Sequence, residues 1–563
     1  MDDDFYNPLS VTPSVAQTWG SLSNIQSIIP AASLLFMGTA LLALPLIFIA
    51  ARFNVNTPKE PSDGDRRSIW VFPYTIPIVG HWFQLDRSAH SVFALKFGID
   101  THNIISNPEV VRSLLQKDES IFQPHPTAWD VLHKCFAVPK RSKPKYSLIW
   151  HELQSTLEYL LQEPHLSNIL KSVIRNLEEN IPQMLSFMDS DVDQHSWERF
   201  ANASFISNSE TEIDLMSLIR NMLGTASIPA VFGRSLMEKY PEILHDLYDM
   251  DKGMSYFLMG LPAWTPWPTI GKAYLARQRV LQGLDGLQEA LDAIVDEKHI
   301  DSLWGDLDDV SEFIVKRHAI YKENALDITE RADIAVLWAL VVNIDLIVFW
   351  QLLYILATPG LSDRIRKEIA PYIKVTKPVS IGGFAEAPKL TISHEVLSKN
   401  CPLFKASYFE AMRLSARPSS TSKVMADVTI TGETHTANSR SYMFRKGEYV
   451  TIPHDLHMRD PKYFDAPETF NPERFLVQKN GMLSAEMGTI RPYGAGRSIC
   501  KGRIFAERAC LALVAGVLVC WDIEPVDKKT GWVIPKQERS SAVCRPTHET
   551  RVRIKQKTFK WGD

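Results

Sequence analysis

The sequence predicts a mainly α-helical domain with small β-sheets, preceded by a single transmembrane helix. Three observations carry this expectation. Apolar and polar residues mix at helical spacing over 110–117, 153–162, 166–180, 213–223, 272–299 and 309–321. Strand-like pieces are fewer and short, at 423–430, 448–452 and 551–554. A long uncharged apolar run, AASLLFMGTALLALPLIFIAA, occupies residues 31–51.

A chain of 563 residues can bury a large core, and its 45% apolar and 22% charged content is that of a globular protein. A net charge of −4 gives no electrostatic case for a nucleic-acid partner. The six cysteines (Cys135, Cys401, Cys500, Cys510, Cys520 and Cys544) form no Cys-x-x-Cys pair. That argues against a zinc ribbon or a disulfide framework and fits a reducing compartment.

About 20 apolar residues suffice to cross a bilayer as a helix, so residues 31–51 read as an anchor. A signal peptide is the competing reading, but it would have a basic start and a shorter run. Here the start is acidic (Asp2, Asp3, Asp4), while Arg52, Lys59, Arg66 and Arg67 follow the run. Basic residues tend to stay on the cytoplasmic side. Residues 1–30 are therefore expected in the lumen, 52–68 as a linker rich in proline and charge, and 69–563 as a cytosolic catalytic domain. With the body cytosolic, the Asn202-Ala203-Ser204 sequon stays silent. Pro262 to Pro268 is too proline-rich for a helix, and its Trp264 and Trp267 either dip into the membrane interface or pack on the body.

Near the carboxyl end stands Arg491-Pro-Tyr-Gly-Ala-Gly-Arg-Ser-Ile-Cys500-Lys-Gly502, followed by an apolar helical run. Gly494 and Gly496 let the backbone take unusual dihedrals and approach a flat cofactor. A thiolate just before a helix would face amide groups that lower its pKa, and soft thiolate suits iron. Cys510 and Cys520, on the following helix, read as small buried hydrophobes.

This segment resembles the haem-binding loop of the cytochrome P-450 family, F-x-x-G-x-R-x-C-x-G. Tyr493 stands at the aromatic position, Gly496 and Gly502 at the glycines, and Cys500 at the axial thiolate. The position two before the cysteine, usually basic, is Ser498, with Arg497 one step earlier. Glu410-Ala-Met-Arg413 resembles the family's E-x-x-R helix, and Asn471-Pro-Glu-Arg474-Phe resembles its P-E-R-F segment. An acid and an arginine three apart share a helix face, and buried charges are tolerable only when paired. Residues 73–81 resemble the family's access segment, and the likeness runs from there to the end of the chain. It implies the cytochrome P-450 fold, haem b (iron protoporphyrin IX) held by Cys500, and a structural network of Glu410, Arg413 and Arg474. Tyr493, Gly494, Gly496, Arg497, Ser498 and Gly502 would form the cofactor loop. Lys423 falls where the family often holds a haem propionate, with a solvated surface lysine as the alternative.

Residues 334–356 are apolar almost all round, as in a helix buried at the centre of a protein. Leu337-Trp338-Ala339, Asn343 and Phe349-Trp350 resemble the branch that includes cholesterol hydroxylases, prostacyclin synthase and many fungal enzymes of secondary metabolism. Most of the family carries an acid and then a threonine on this helix to relay protons. Here Asn343 and Ile344 stand at those positions, and isoleucine has no hydrogen-bonding group. Asp345 points about 100° away from Ile344, so it reads as a buried acid paired with a basic side chain.

The expectation is a monooxygenase of hydrophobic small molecules, fed by NADPH-cytochrome P-450 reductase and cytochrome b5, as a single-pass protein of the endoplasmic reticulum membrane. Asn343, Ile344 and Asp345 are its candidate catalytic positions, and the hydroxyl run Ser419, Ser420 and Thr421 its candidate substrate pocket. Two rivals stand beside it: a reductase-independent isomerase or dehydratase, motivated by Ile344, and a haem-binding sensor without turnover.

Overall fold

The computed structural model describes residue 69 and residues 92–97, 100–118, 120–305, 307–377, 388–432 and 440–558. The expected segments at 1–30, 31–51, 52–68 and 73–81 therefore lie outside the described residues. The chain divides into two compact units, Met1–His102 and Asn103–Asp563. Among its described residues the first holds the strand Val92–Phe97. The second is the helical body with its small sheets.

Six helices of that body position the site: Lys143–Thr156 (α1), Leu215–Phe232 (α2), Glu312–Glu323 (α3), Asp333–Ala357 (α4), Pro402–Ser415 (α5) and Arg503–Cys520 (α6). Helix α4 is apolar apart from Asp333, Asn343, Asp345, Gln351 and Tyr354 and has no internal glycine or proline. It stops at Thr358, held extended (ψ 118°) by the following Pro359. It packs against α2, α5 and α6. Both α2 and α4 are long and apolar enough to cross a bilayer, yet 72% and 78% of their apolar windows are buried. They are core helices.

The coarse expectations survive with shifted boundaries. Helix α2 begins at Leu215 rather than 213, because the Asp214 carboxylate caps it by accepting from the Ser217 N–H at 2.9 Å. Ile213 instead belongs to the strand Glu210–Asp214, which pairs with Arg551–Gln556 in a four-stranded antiparallel sheet. The single strand expected at 423–430 is two strands, Ser419–Val424 (β1) and Val428–Gly432. Between them the Asp427 carboxylate accepts from the Lys446 N–H at 2.7 Å, fixing a turn. Strand β1 pairs antiparallel with Tyr449–Pro453 (β2).

Helix α5 carries an ion pair fully withdrawn from water. Arg413 donates to both oxygens of Glu410, Nε to Oε2 at 2.7 Å and Nη2 to Oε1 at 2.9 Å, with neither side chain exposed. Arg413 Nη1 also donates to the Met458 carbonyl at 2.9 Å, and its guanidinium lies 5.2 Å from the Phe464 ring centre. Glu410 Oε1 accepts in addition from the Asn471 N–H at 2.9 Å and from Arg474 Nε at 3.3 Å. Residues 458–474, which lead into the cysteine loop, are thereby tied to α5. Removing one partner leaves the other charge buried and unpaired, so Arg413→Leu should destabilise the fold by about 3–5 kcal/mol. The expected readout is a lower urea midpoint and loss of soluble full-length protein.

Candidate functional site

The loop between residues 491 and 502 turns back on itself so that Cys500 heads α6. The Gly494 N–H donates to the Arg491 carbonyl at 3.0 Å, and the Cys500 N–H to the Tyr493 carbonyl at 2.9 Å. Gly494 and Gly496 have φ of +78° and +62°, a region that strains any residue with a Cβ. At Gly496 a Cβ would also fall 2.8 Å from Leu115 Cδ2. Tyr493 is pinned by its hydroxyl, 2.7 Å from that of Tyr408 on α5.

Behind the loop lies a polar chain with no sequence motif to announce it. The Ala495 N–H donates to Ser420 Oγ at 3.2 Å, and Ser420 Oγ lies 2.9 Å from His454 Nε2. Burial, with help from Arg491 and His457, pushes the His454 pKa down to about 4. The imidazole is therefore neutral at ordinary pH and can accept the Ser420 proton. Ser420 was expected in the substrate pocket; its hydroxyl instead buttresses the cysteine loop. Ser419 is exposed opposite Pro453, and Thr421 meets the Thr451 hydroxyl at 3.2 Å across the β1–β2 pair. None of the three lines the cavity, whose wall here is Ala416 and Pro418. The chain has already passed into β1 by Ser419, where successive side chains point to opposite faces, so the run of hydroxyls is split between solvent, the cysteine loop and β2.

Cys500 is the exposed cysteine of the six, and Cys510 and Cys520 are buried as expected. Its exposure is onto an apolar cavity of about 490 Å³. Burial pushes the Cys500 thiol up, opposed by the Gly502 amide and by Arg503. The expected lowering by amide groups is thus real but outweighed while no metal shares the site. A cation at the sulfur reverses that balance. A Cβ at Gly502 would stand at ordinary contact distance, 3.9 Å, from Cys500 Sγ, so this glycine lies beside the sulfur without being sterically required.

The far wall of the cavity is one face of α4, where Asn343, Ile344 and Ile347 all contribute. The Asn343 Oδ1 atom is buried with no hydrogen-bond partner. Ile344 is 6% exposed, and its carbonyl lies 3.9 Å from Cys510 Sγ on α6. Asp345 faces the opposite way, fully buried, with Oδ2 3.4 Å from Arg220 Nε and Oδ1 accepting from the Leu346 N–H at 2.6 Å. Burial nonetheless pushes its pKa up to about 7. It does not line the cavity.

Among the remaining expected residues, Arg497 and Ser498 are exposed in the tight turn Gly496–Ser498 and do not line the cavity. Lys423 is half-buried on β1 with its ammonium 5.3 Å from the Tyr449 ring centre, also off the cavity wall. Lys501, Trp150, Arg317 and Trp338 also line it; Trp338 belongs to the branch-marking Leu337-Trp338-Ala339 and Lys501 to the cysteine loop, but no motif marks any of the four as a cavity residue. Helical spacing from Asn343, back through Ala339 to Ala335, is the signal that could have found Trp338. The others depend on which helices meet.

A haem fits these residues: an apolar slot opens on one sulfur, glycines crowd close to it, and an amide points at it. No cluster of three or more histidine, cysteine or acidic side chains suited to a metal occurs among the described residues. Ligation through the single cysteine is therefore the chemistry this site offers.

Comparison with known proteins agrees. The cytochrome P-450 family model matches residues 72–553. A cytochrome P-450 monooxygenase of Penicillium oxalicum (poxD) is 24% identical over 88% of this chain and 93% of its own. A 25-hydroxycholesterol 7-alpha-hydroxylase of Rattus norvegicus is 29% identical over 35% of this chain and 46% of its own. Prostacyclin synthase of the same animal is 27% identical over 36% and 40%. With a family model spanning most of its length and the matching loop built around Cys500, this chain belongs to the cytochrome P-450 family and is an oxidoreductase.

Proposed function

We propose that this chain is a haem-thiolate monooxygenase that oxidises a hydrophobic small molecule (a terpenoid, steroid, polyketide or alkaloid) in secondary-metabolite biosynthesis. The observation that carries this reading is the Cys500 sulfur facing an apolar cavity bounded by α4. The fungal relatives named monooxygenases favour the same chemistry. Electrons would come from NADPH-cytochrome P-450 reductase, with cytochrome b5 as a further donor. Haem b would be held by Cys500, with Tyr493, Gly494, Gly496 and Gly502 shaping the loop around it. Arg497, Ser498 and Lys423 would serve its propionates, on the resemblance of their positions to the family's. When bound, the haem supplies oxygen activation, helped by electron density from the thiolate.

The chain's own residues exclude water, orient the substrate and manage protons. Ile344 can neither donate nor accept. The Trp338 Nε1–H is already donated to the Asp251 carboxylate at 2.8 Å. Asn343 is left as the polar side chain of α4 with an open acceptor on the cavity. A buried acceptor without a partner costs about 1–3 kcal/mol, so it favours a water or a substrate hydroxyl beside it. That water takes the place of the missing relay alcohol.

The isomerase reading rests on the same Ile344. Turnover without reductase, giving a product equal in mass to its substrate, would favour it.

The expected home is the endoplasmic reticulum membrane, with residues 31–51 as the anchor and the body cytosolic. Support in the body comes from Trp264 and Trp267, 75% and 56% exposed, with Leu258 and Met259 of the preceding stretch exposed too. Exposed indoles near an apolar rim suit a bilayer interface.

Three measurements test this reading. Cys500→Ala should abolish the red-shifted absorption band of the reduced carbon monoxide complex, and survival of that band would assign the iron to another ligand. Asn343→Leu should raise the ratio of hydrogen peroxide released to substrate oxidised by at least about tenfold, since a positioned proton donor contributes about 10²–10⁴-fold and a water held by Asn343 only part of that. An unchanged ratio would remove Asn343 from proton handling. The double variant Trp264→Ser/Trp267→Ser should leave folding intact and weaken vesicle binding of a protein lacking residues 1–51 several-fold.

A further inference from the structure

The cavity is longer than the Cys500 end of it requires. Its α4 wall runs from Ala335 through Ala339 and Asn343 to Ile347, residues four apart on one face. At 1.5 Å per residue that is about 18 Å. Ala339 is exposed although α4 is otherwise a core helix, because its small side chain opens onto this space. One end is fixed at Cys500 and Cys510 on the α6 side. The other lies between α1, α3 and the start of α4, where Leu153, Phe313, Ala332 and Arg317 form the wall.

Arg317 is the charged group at that far end, and Lys501, next to Cys500, is the charged group at the near end. Arg317 is 6% exposed. Its Nε donates to Asp333 Oδ1 at 2.7 Å, Nη1 to Thr156 Oγ1 at 3.3 Å and Nη2 to the Tyr321 hydroxyl at 2.5 Å. A guanidinium has five N–H groups, so two remain beyond these bonds among the described residues. Its charge is already balanced by Asp333, so a second carboxylate would meet an almost neutral pair. A neutral carbonyl oxygen asks for a donor without bringing a charge into the apolar arm.

We propose that this arm holds the body of an elongated substrate, and that Arg317 reads a neutral carbonyl oxygen (ketone, ester or lactone) at the end remote from the carbon oxidised near Cys500. The proposal rests on the monooxygenase reading and narrows its substrate class. Arg317 is a specificity-determining residue on this account, and the alanines of α4 leave room for the ligand.

The test uses the haem-loaded full chain in detergent with three probes: methyl decyl ketone, dodecane and methyl butyl ketone. Binding is read twice, by the shift of the Soret band and by quenching of tryptophan fluorescence, since Trp150 and Trp338 line the cavity. An extended twelve-carbon chain is about as long as the arm. The long ketone should bind at least about tenfold tighter than dodecane, the advantage of one hydrogen bond from a charged donor. Arg317→Lys keeps the charge opposite Asp333 and should reduce that preference to about threefold or less. Ala335→Phe leaves the ion pair intact and fills the arm. It should weaken both twelve-carbon probes about tenfold while leaving methyl butyl ketone unchanged. A ketone preference untouched by Arg317→Lys, or twelve-carbon binding untouched by Ala335→Phe, overturns the proposal. Failure of the haem-thiolate reading shows separately, as absence of the red-shifted carbon monoxide band while fluorescence quenching still ranks the probes.

Discussion

A carboxylate and a guanidinium fully withdrawn from water set the terms for the rest of the body. Glu410 and Arg413 face the same side of α5 three residues apart, and each satisfies the other through two bonds. Such a pair contributes little net stability over an apolar pair of equal volume. What it does is impose position, because every remaining lone pair and N–H must find a partner or a large penalty follows. The Met458 and Thr469 carbonyls, the Asn471 N–H and the Arg474 side chain are those partners. The segment that leads to the cysteine loop is therefore located by charge satisfaction, and the loop inherits its place from that segment.

The same logic operates one layer nearer the sulfur, with neutral groups in place of ions. Tyr408 sits two residues before Glu410 on α5 and holds Tyr493 by its hydroxyl. Ser420, just beyond the same helix, holds the Ala495 amide and is itself held by His454. Helix α5 and the strand after it thus grip the loop at two points on either side of Gly494. The two positive-φ glycines let the backbone turn tightly enough for both grips to close. Cys500 then faces the cavity with its helix behind it.

How much of this was legible in the sequence follows from what kind of interaction each feature is. The Cys500 loop, the α5 pair and the apolar α4 could be read because their requirements are local: glycines at fixed offsets, charges one turn apart, a long run apolar on nearly every face. Residues 419–421 misled because three hydroxyls in a row look like a binding surface, whereas the antiparallel pairing of β1 with β2 decides which way each points. That pairing is a long-range fact. The His454 support was invisible for the same reason, since a histidine kept neutral by burial has no signature before its surroundings are known. Asp345 was legible in part. Its helical angle away from Ile344 implied a buried partner, and Arg220 on α2 supplies it.

Helix α4 shows why substrate handling and proton supply need not compete for the same residues. Its cavity face is alanine and branched aliphatic apart from Asn343 and Trp338, while its ionisable groups lie at its start and on its back. Asp333 is matched by Arg317 and Gln288, and Asp345 by Arg220 and the Leu346 amide. The carboxylates of α4 are thereby kept off the cavity, and of these pairs only the Arg317 guanidinium reaches its wall, at the far end. An apolar molecule lying along Ala335 to Ile347 then meets one polar handle on α4 whose acceptor is still open, Asn343, partway along the face. A fixed polar atom in an otherwise apolar channel restricts which hydrogen-bonding group of a ligand can sit there. In a cavity of this shape, the position oxidised is set less by the reactive end than by how far the ligand reaches along α4.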